Sequence, residues 1–150
     1  MKKILLIDRD IVTLDLNLSG KGDIFKFLAQ NLYDHGRVNN TDMFLKDIYL
    51  RESEGVTGLE GGVAIPHARS RYVNYPSLAA ARLIKGTTDY ESLDGAAIDL
   101  IFMIAVPEQS ESEYMDILSN LARKLVHADF VESLKCAKTS EEFIANLMIK

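Results

Sequence analysis

Apolar residues form two nearly unbroken runs in this chain, Val63-Ala64-Ile65 and the stretch 98–106, where Asp99 is the sole polar residue. Runs this short and this apolar fit strands covered on both faces. The second, closed by Pro107, predicts the central strand of a sheet. Over 11–18 the period is two. Val12, Leu14, Leu16 and Leu18 share one face, and Thr13, Asp15 and Asn17 share the other, which predicts a half-buried strand. A further strand is predicted over 78–84. The alanines at 79–81 allow helix as well, but Gly86-Thr87-Thr88 follows and no cap precedes. The apolar run 4–7 fits either a strand or the first turn of a helix.

Elsewhere the period lengthens to that of a helix. Asp23 caps a predicted helix to about His35, with Ile24, Phe25, Phe27, Leu28, Leu32 and Tyr33 as its apolar face and Gly36 as a stop. Ser19-Gly20-Lys21-Gly22 reads as the turn before it; the spacing of a phosphate-binding loop is absent. Asn40-Thr41 opens a second helix over 41–52, with Met43, Phe44, Ile48 and either Leu45 or Leu50 inward. Ser110 and the acids after it open a third to about Val126, striped by Met115, Leu118, Leu121, Ala122 and Leu125. Short helices are predicted over 129–137 and, capped by Ser140, to Leu147. His35 and His127 close their helices, where the dipole favours them.

Strands interleaved with helices over 150 residues, with no internal repeat or linker, indicate one α/β domain spanning 1–150. Hydrophobic residues at 47% allow a substantial core. The net charge of −5, with no basic patch, argues against nucleic acid as a partner. The single cysteine, Cys136, excludes an internal disulfide and reads as a small core residue. Two lysines and four apolar residues at the amino terminus are too short for a signal peptide, and no run reaches membrane-spanning length. A cytoplasmic protein that does not insert into a membrane is expected.

Candidate chemistry concentrates in 57–69. Gly58, Gly61 and Gly62 make a turn, Val63-Ala64-Ile65 a strand, and Pro66 its end. His67 is therefore predicted just past a strand end, facing a cleft, with Arg69 and Arg71 close behind and 69–77 a loop. A neutral imidazole whose second nitrogen donates to a fixed acceptor can attack phosphorus, and guanidiniums can hold the phosphoryl oxygens. Arg51-Glu52, just upstream, reads as an exposed ion pair.

Arg51-Glu52, Thr57-Gly58 and Gly62-Val63-Ala64-Ile65-Pro66-His67 together resemble the signature of enzyme IIA domains of the fructose–mannitol class (type 2), from the bacterial phosphoenolpyruvate-dependent sugar phosphotransferase system. Leu93-Asp94-Gly95, Asp99-Leu100-Ile101-Phe102 and Ala105-Val106-Pro107 extend the likeness. The resemblance implies a mixed β-sheet flanked by helices on both faces. It implies that His67 takes a phosphoryl group from the histidine-containing phosphocarrier protein HPr, with Arg51 stabilising it. The group would pass to an enzyme IIB component, and so to sugar entering through a membrane enzyme IIC. Thr57 would be a hydroxyl donor at the cleft edge. Tyr114 stands where many members carry a second histidine; it offers a hydroxyl but no positive charge. Glu60 is compatible with phosphate only if it points away or orients a ring N–H. Neither metal nor small-molecule cofactor is implied. Two alternatives keep the phosphohistidine: a nitrogen-type regulatory enzyme IIA, and an enzyme acting on small molecules in a deep pocket.

Overall fold

Five strands make one mixed sheet in the computed structural model, which describes residues 6–148. They are β1 (Val12–Leu16), β2 (Val63–Ala64), β3 (His67–Ser70), β4 (Ser77–Leu83) and β5 (Leu100–Pro107). β5 lies between β4, to which it is antiparallel, and the short edge formed by β2 and β3, to which it is parallel; β1 runs parallel to β4 on the far side. From Leu100 to Val106 the central strand has no exposed side chain. Each large apolar side chain so buried contributes about 1.5–3 kcal/mol, so this strand anchors the sheet. The alanines at 79–81 are strand residues in β4. They too are fully buried, and their small side chains let α1 lie close over the sheet.

Five helices cover the two faces: α1 (Lys21–Asp34), α2 (Thr41–Glu52), α3 (Glu111–Leu125), α4 (Ala128–Lys135) and α5 (Ser140–Leu147). α1 packs on α2; α3, α4 and α5 form a second group. Among the described residues no helix is long and apolar enough to cross a membrane.

The edge strand departs from expectation. Pro66 does not end it. The pairing register is unbroken across the proline, with Val63 opposite Leu100 and His67 opposite Ile104. The Pro66 carbonyl still accepts from the Ile104 N–H at 2.9 Å. An edge strand tolerates a missing donor where a central one would not. His67 therefore lies in a strand, and Arg69 and Ser70 belong to that strand rather than to a loop.

Other departures are smaller. α1 starts at Lys21 with Gly20 as its cap, and Asp23 sits in the first turn. Tyr33 is exposed, and Leu45 rather than Leu50 packs inward. Met115 points outward, because the inward stripe of α3 runs through Tyr114, Ile117, Leu118, Leu121 and Leu125. Thr139, not Ser140, caps α5 by accepting the Glu142 N–H. β1 stops at Leu16, after a register shift in which Asp15 takes a positive φ of 57°. Cys136 is exposed at the end of α4, where its thiol donates to Glu132, which pushes its pKa up; it is not a core residue. The expectations for residues 1–5 lie outside the described residues.

Candidate active site

Two backbone hydrogen bonds shape the glycine-rich turn that leads to His67. The Leu59 N–H donates to the Val63 carbonyl at 2.7 Å, and the Ile65 N–H donates to the Thr57 carbonyl at 3.0 Å. Gly61 and Gly62 have φ of 78° and 81°, a region that favours glycine. Lys135 reaches across from α4, donating to the Gly61 carbonyl at 2.8 Å and pairing with Asp99 at 3.2 Å. The chain thus enters β3 along a fixed path.

At the start of β3 the imidazole makes two opposed contacts. Nδ1 lies 2.6 Å from the Ile65 carbonyl, and Nε2 lies 3.2 Å from Nε of Arg51. A carbonyl can only accept and a guanidinium can only donate. Both contacts are hydrogen bonds in one state alone: neutral imidazole, proton on Nδ1, lone pair on Nε2. Burial lowers the pKa below the ordinary 6.5 and Arg51 lowers it further, against opposing effects of the Ile65 carbonyl, Glu52 and Glu54. His67 is 5% exposed. It borders a cleft of about 520 Å³ between α2 and α3 at the edge of the sheet.

Arg51, Arg69 and Tyr114 line that cleft with His67. The Tyr114 ring lies 5.7 Å from the imidazole, centroid to centroid, and the Arg69 guanidinium is 5.9 Å from the Tyr114 ring. Burial raises the Tyr114 pKa, opposed by Arg51 and Arg69, so the phenol is a donor at neutral pH. Arg51 and Glu52 are not each other's partners: Glu52 pairs with Lys21 at 2.8 Å.

Thr57 does not reach the cleft. Its hydroxyl is buried and donates to Glu52 at 2.6 Å. Arg71 stacks over Tyr72. Glu60 is exposed in a separate apolar hollow of about 680 Å³, so it neither faces the imidazole nor orients it; the Ile65 carbonyl has that place. His35 and His127 are both exposed and outside the cleft.

Sequence reasoning missed Glu54 and Glu108 at the cleft and the apolar rim of Leu50 and Met115, which are 65% and 52% exposed. The sequence offered no signal for the rim, since Met115 and Leu50 both fit the inward spacing of their helices.

The family model described as "Phosphoenolpyruvate-dependent sugar phosphotransferase system, EIIA 2" matches residues 5–148. The chain belongs to this EIIA family. Among relatives, it is 34% identical over 132 residues to the PTS system fructose-specific EIIA component of Haloferax volcanii, covering 88% of this chain and 85% of that one. Among solved EIIA structures, the nitrogen regulatory protein IIA-Ntr of Neisseria meningitidis superposes with a TM-score of 0.88 at 29% identity, over 95% of this chain and 97% of that one. The Escherichia coli complex of enzyme IIAMTL with phosphorylated enzyme IIBMTL matches with a TM-score of 0.77 over 94% and 96%; at 17% identity it shows the EIIA fold alone.

Proposed function

We propose that this EIIA component carries a phosphoryl group on Nε2 of His67. The observation that carries the reading is the pair of opposed contacts on the ring, which leaves the lone pair on the nitrogen that borders the cleft. In the forward step that lone pair attacks the phosphorus of a phosphohistidine on the phosphocarrier protein. The new Nε2–P bond forms as the old N–P bond breaks, and the donor imidazole keeps the bonding electrons. His67 becomes cationic, and its proton stays on Nδ1, donated to the Ile65 carbonyl. In the cytoplasm the reverse geometry hands the group to an enzyme IIB component, which serves sugar uptake through a membrane enzyme IIC.

Arg51 has two tasks here. At rest its Nε donates to the lone pair; on transfer the guanidinium turns to the phosphoryl oxygens, where its fixed charge offsets theirs. Arg69 supplies a second charge and Tyr114 a hydroxyl donor. Leu50 and Met115 give partners an apolar rim around the cleft.

Fructose-like sugars suit the likeness to the Haloferax volcanii component. A second reading has only the superposition on IIA-Ntr behind it: phosphorylation of His67 would govern which partner binds, with no onward transfer to a sugar. Incubation with phosphoenolpyruvate, enzyme I and the phosphocarrier protein tests the shared step. Acid-labile label is expected on the wild type and on His35→Ala and His127→Ala, and none on His67→Ala. Equal labelling of all three variants overturns the proposal. Onward transfer to a sugar-specific enzyme IIB separates transport from regulation.

A further inference from the structure

Behind the cleft lies a buried chain of polar groups that phosphoryl transfer does not itself require. Lys21 Nζ, from the first turn of α1, pairs with Glu52 Oε1 at 2.8 Å. Thr57 Oγ1 lies 2.6 Å from Glu52 Oε2 and 2.5 Å from the Tyr90 hydroxyl. The carboxylate can only accept, so Thr57 donates to Glu52, and its oxygen accepts from Tyr90. Burial raises the Tyr90 pKa far above its ordinary value and keeps it a donor. Lys21 also sits 4.4 Å from the centroid of the Tyr90 ring, which closes the group on itself.

This group is joined to the imidazole by backbone. The carbonyl of Thr57 accepts the Ile65 N–H at 3.0 Å, and the Ile65 carbonyl holds Nδ1 of His67 at 2.6 Å. From the other side Arg51, the residue before Glu52, holds Nε2. Two adjacent residues at the end of α2 therefore grip the ring at both nitrogens, one directly and one through Thr57 and Ile65. We propose that Tyr90, Thr57 and Glu52 are positioning residues. They fix the Ile65 peptide, and through it they set the tautomer and aim of His67. None touches the phosphoryl group. The proposal rests on His67 as acceptor, and it gives Thr57 a task in place of the cleft-edge donor expected from resemblance.

The removal of one hydroxyl at a time tests it, in Thr57→Val and Tyr90→Phe, with Thr57→Ser as rescue. Two readouts are taken. The first is the nitrogen-15 signals of His67 without any phosphate donor. The wild type should show one protonated and one bare nitrogen, and the variants should draw the two signals together as the second tautomer is populated. The second is transfer from the phosphocarrier protein. A loss of about tenfold in kcat is expected, since small misplacements of a reacting group are costly, with KM little changed and Thr57→Ser near wild type. Should Thr57→Val not fold, Tyr90→Phe, which loses a single oxygen, decides alone. Unmoved ring signals overturn the proposal, whether or not the transfer rate falls. A wild type that takes no label on His67 counts against the proposed function instead, and the ring signals still judge the relay.

Discussion

Two neighbours between them fix the state of His67. The Ile65 carbonyl demands a proton on Nδ1, and Arg51 demands a lone pair on Nε2. Among the described residues the Arg51 side chain is held only by that bond and a long contact to the Gly55 carbonyl at 3.4 Å, which leaves it able to turn to an incoming phosphate. Arg51→Ala is expected to slow labelling about 10²–10³-fold, the usual scale for loss of a group that stabilises developing charge, with an unchanged melting temperature. Arg51→Lys should recover little of this, because a point charge lacks the planar fork; rapid-quench labelling reads both. The lowered pKa of His67 has its own consequence. The imidazole stays neutral as the pH falls through 6.5, so the acceptance rate should stay flat there and decline only at lower pH. A rate that halves at 6.5 would mean an unperturbed ring.

At the scale of elements, the turn that launches β3 is set by contacts a reader of the sequence cannot see. Gly58 lies against the backbone of 91–92: a Cβ there would collide with the Glu91 carbonyl and come within 2.9 Å of Ser92 Cα and Ile98 Cδ1. Gly58→Ala is expected to cost about 1–3 kcal/mol, seen as a lower urea midpoint with an unchanged slope. Most elements were legible, because β5 is apolar throughout and the helices keep a 3.6-residue stripe. β3 was not. Pro66 reads as a terminator in any strand that needs its N–H, and only pairing reveals that this strand is an edge. The structure brings Tyr114 beside His67 but turns Thr57 away from the cleft, because the direction of its hydroxyl depends on Glu52, just upstream, and on Tyr90 from a distant part of the chain.

For the whole molecule, the site lies at the open edge of the sheet, where Leu50 from α2 and Met115 from α3 line one cleft with His67. The α/β class and single domain followed from length and pattern; the cleft did not, since it exists only once both layers are in place. The buried ring also couples the site to global stability. Its folded pKa lies below the unfolded 6.5, so the unfolded chain binds the extra proton as pH falls through that interval. Its favourable contribution is full above 6.5 and is lost progressively down to the folded pKa. Urea midpoints should therefore drop in that window for the wild type and drop less for His67→Gln; parallel curves would exclude the imidazole as the cause.

The most direct test is to identify the phosphorylated atom. After labelling by the phosphocarrier protein, nitrogen-15 and phosphorus-31 spectra should place the phosphate on Nε2 of His67, with the proton still on Nδ1. Phosphate on Nδ1, or on any other residue, would contradict the role assigned to the two opposed contacts.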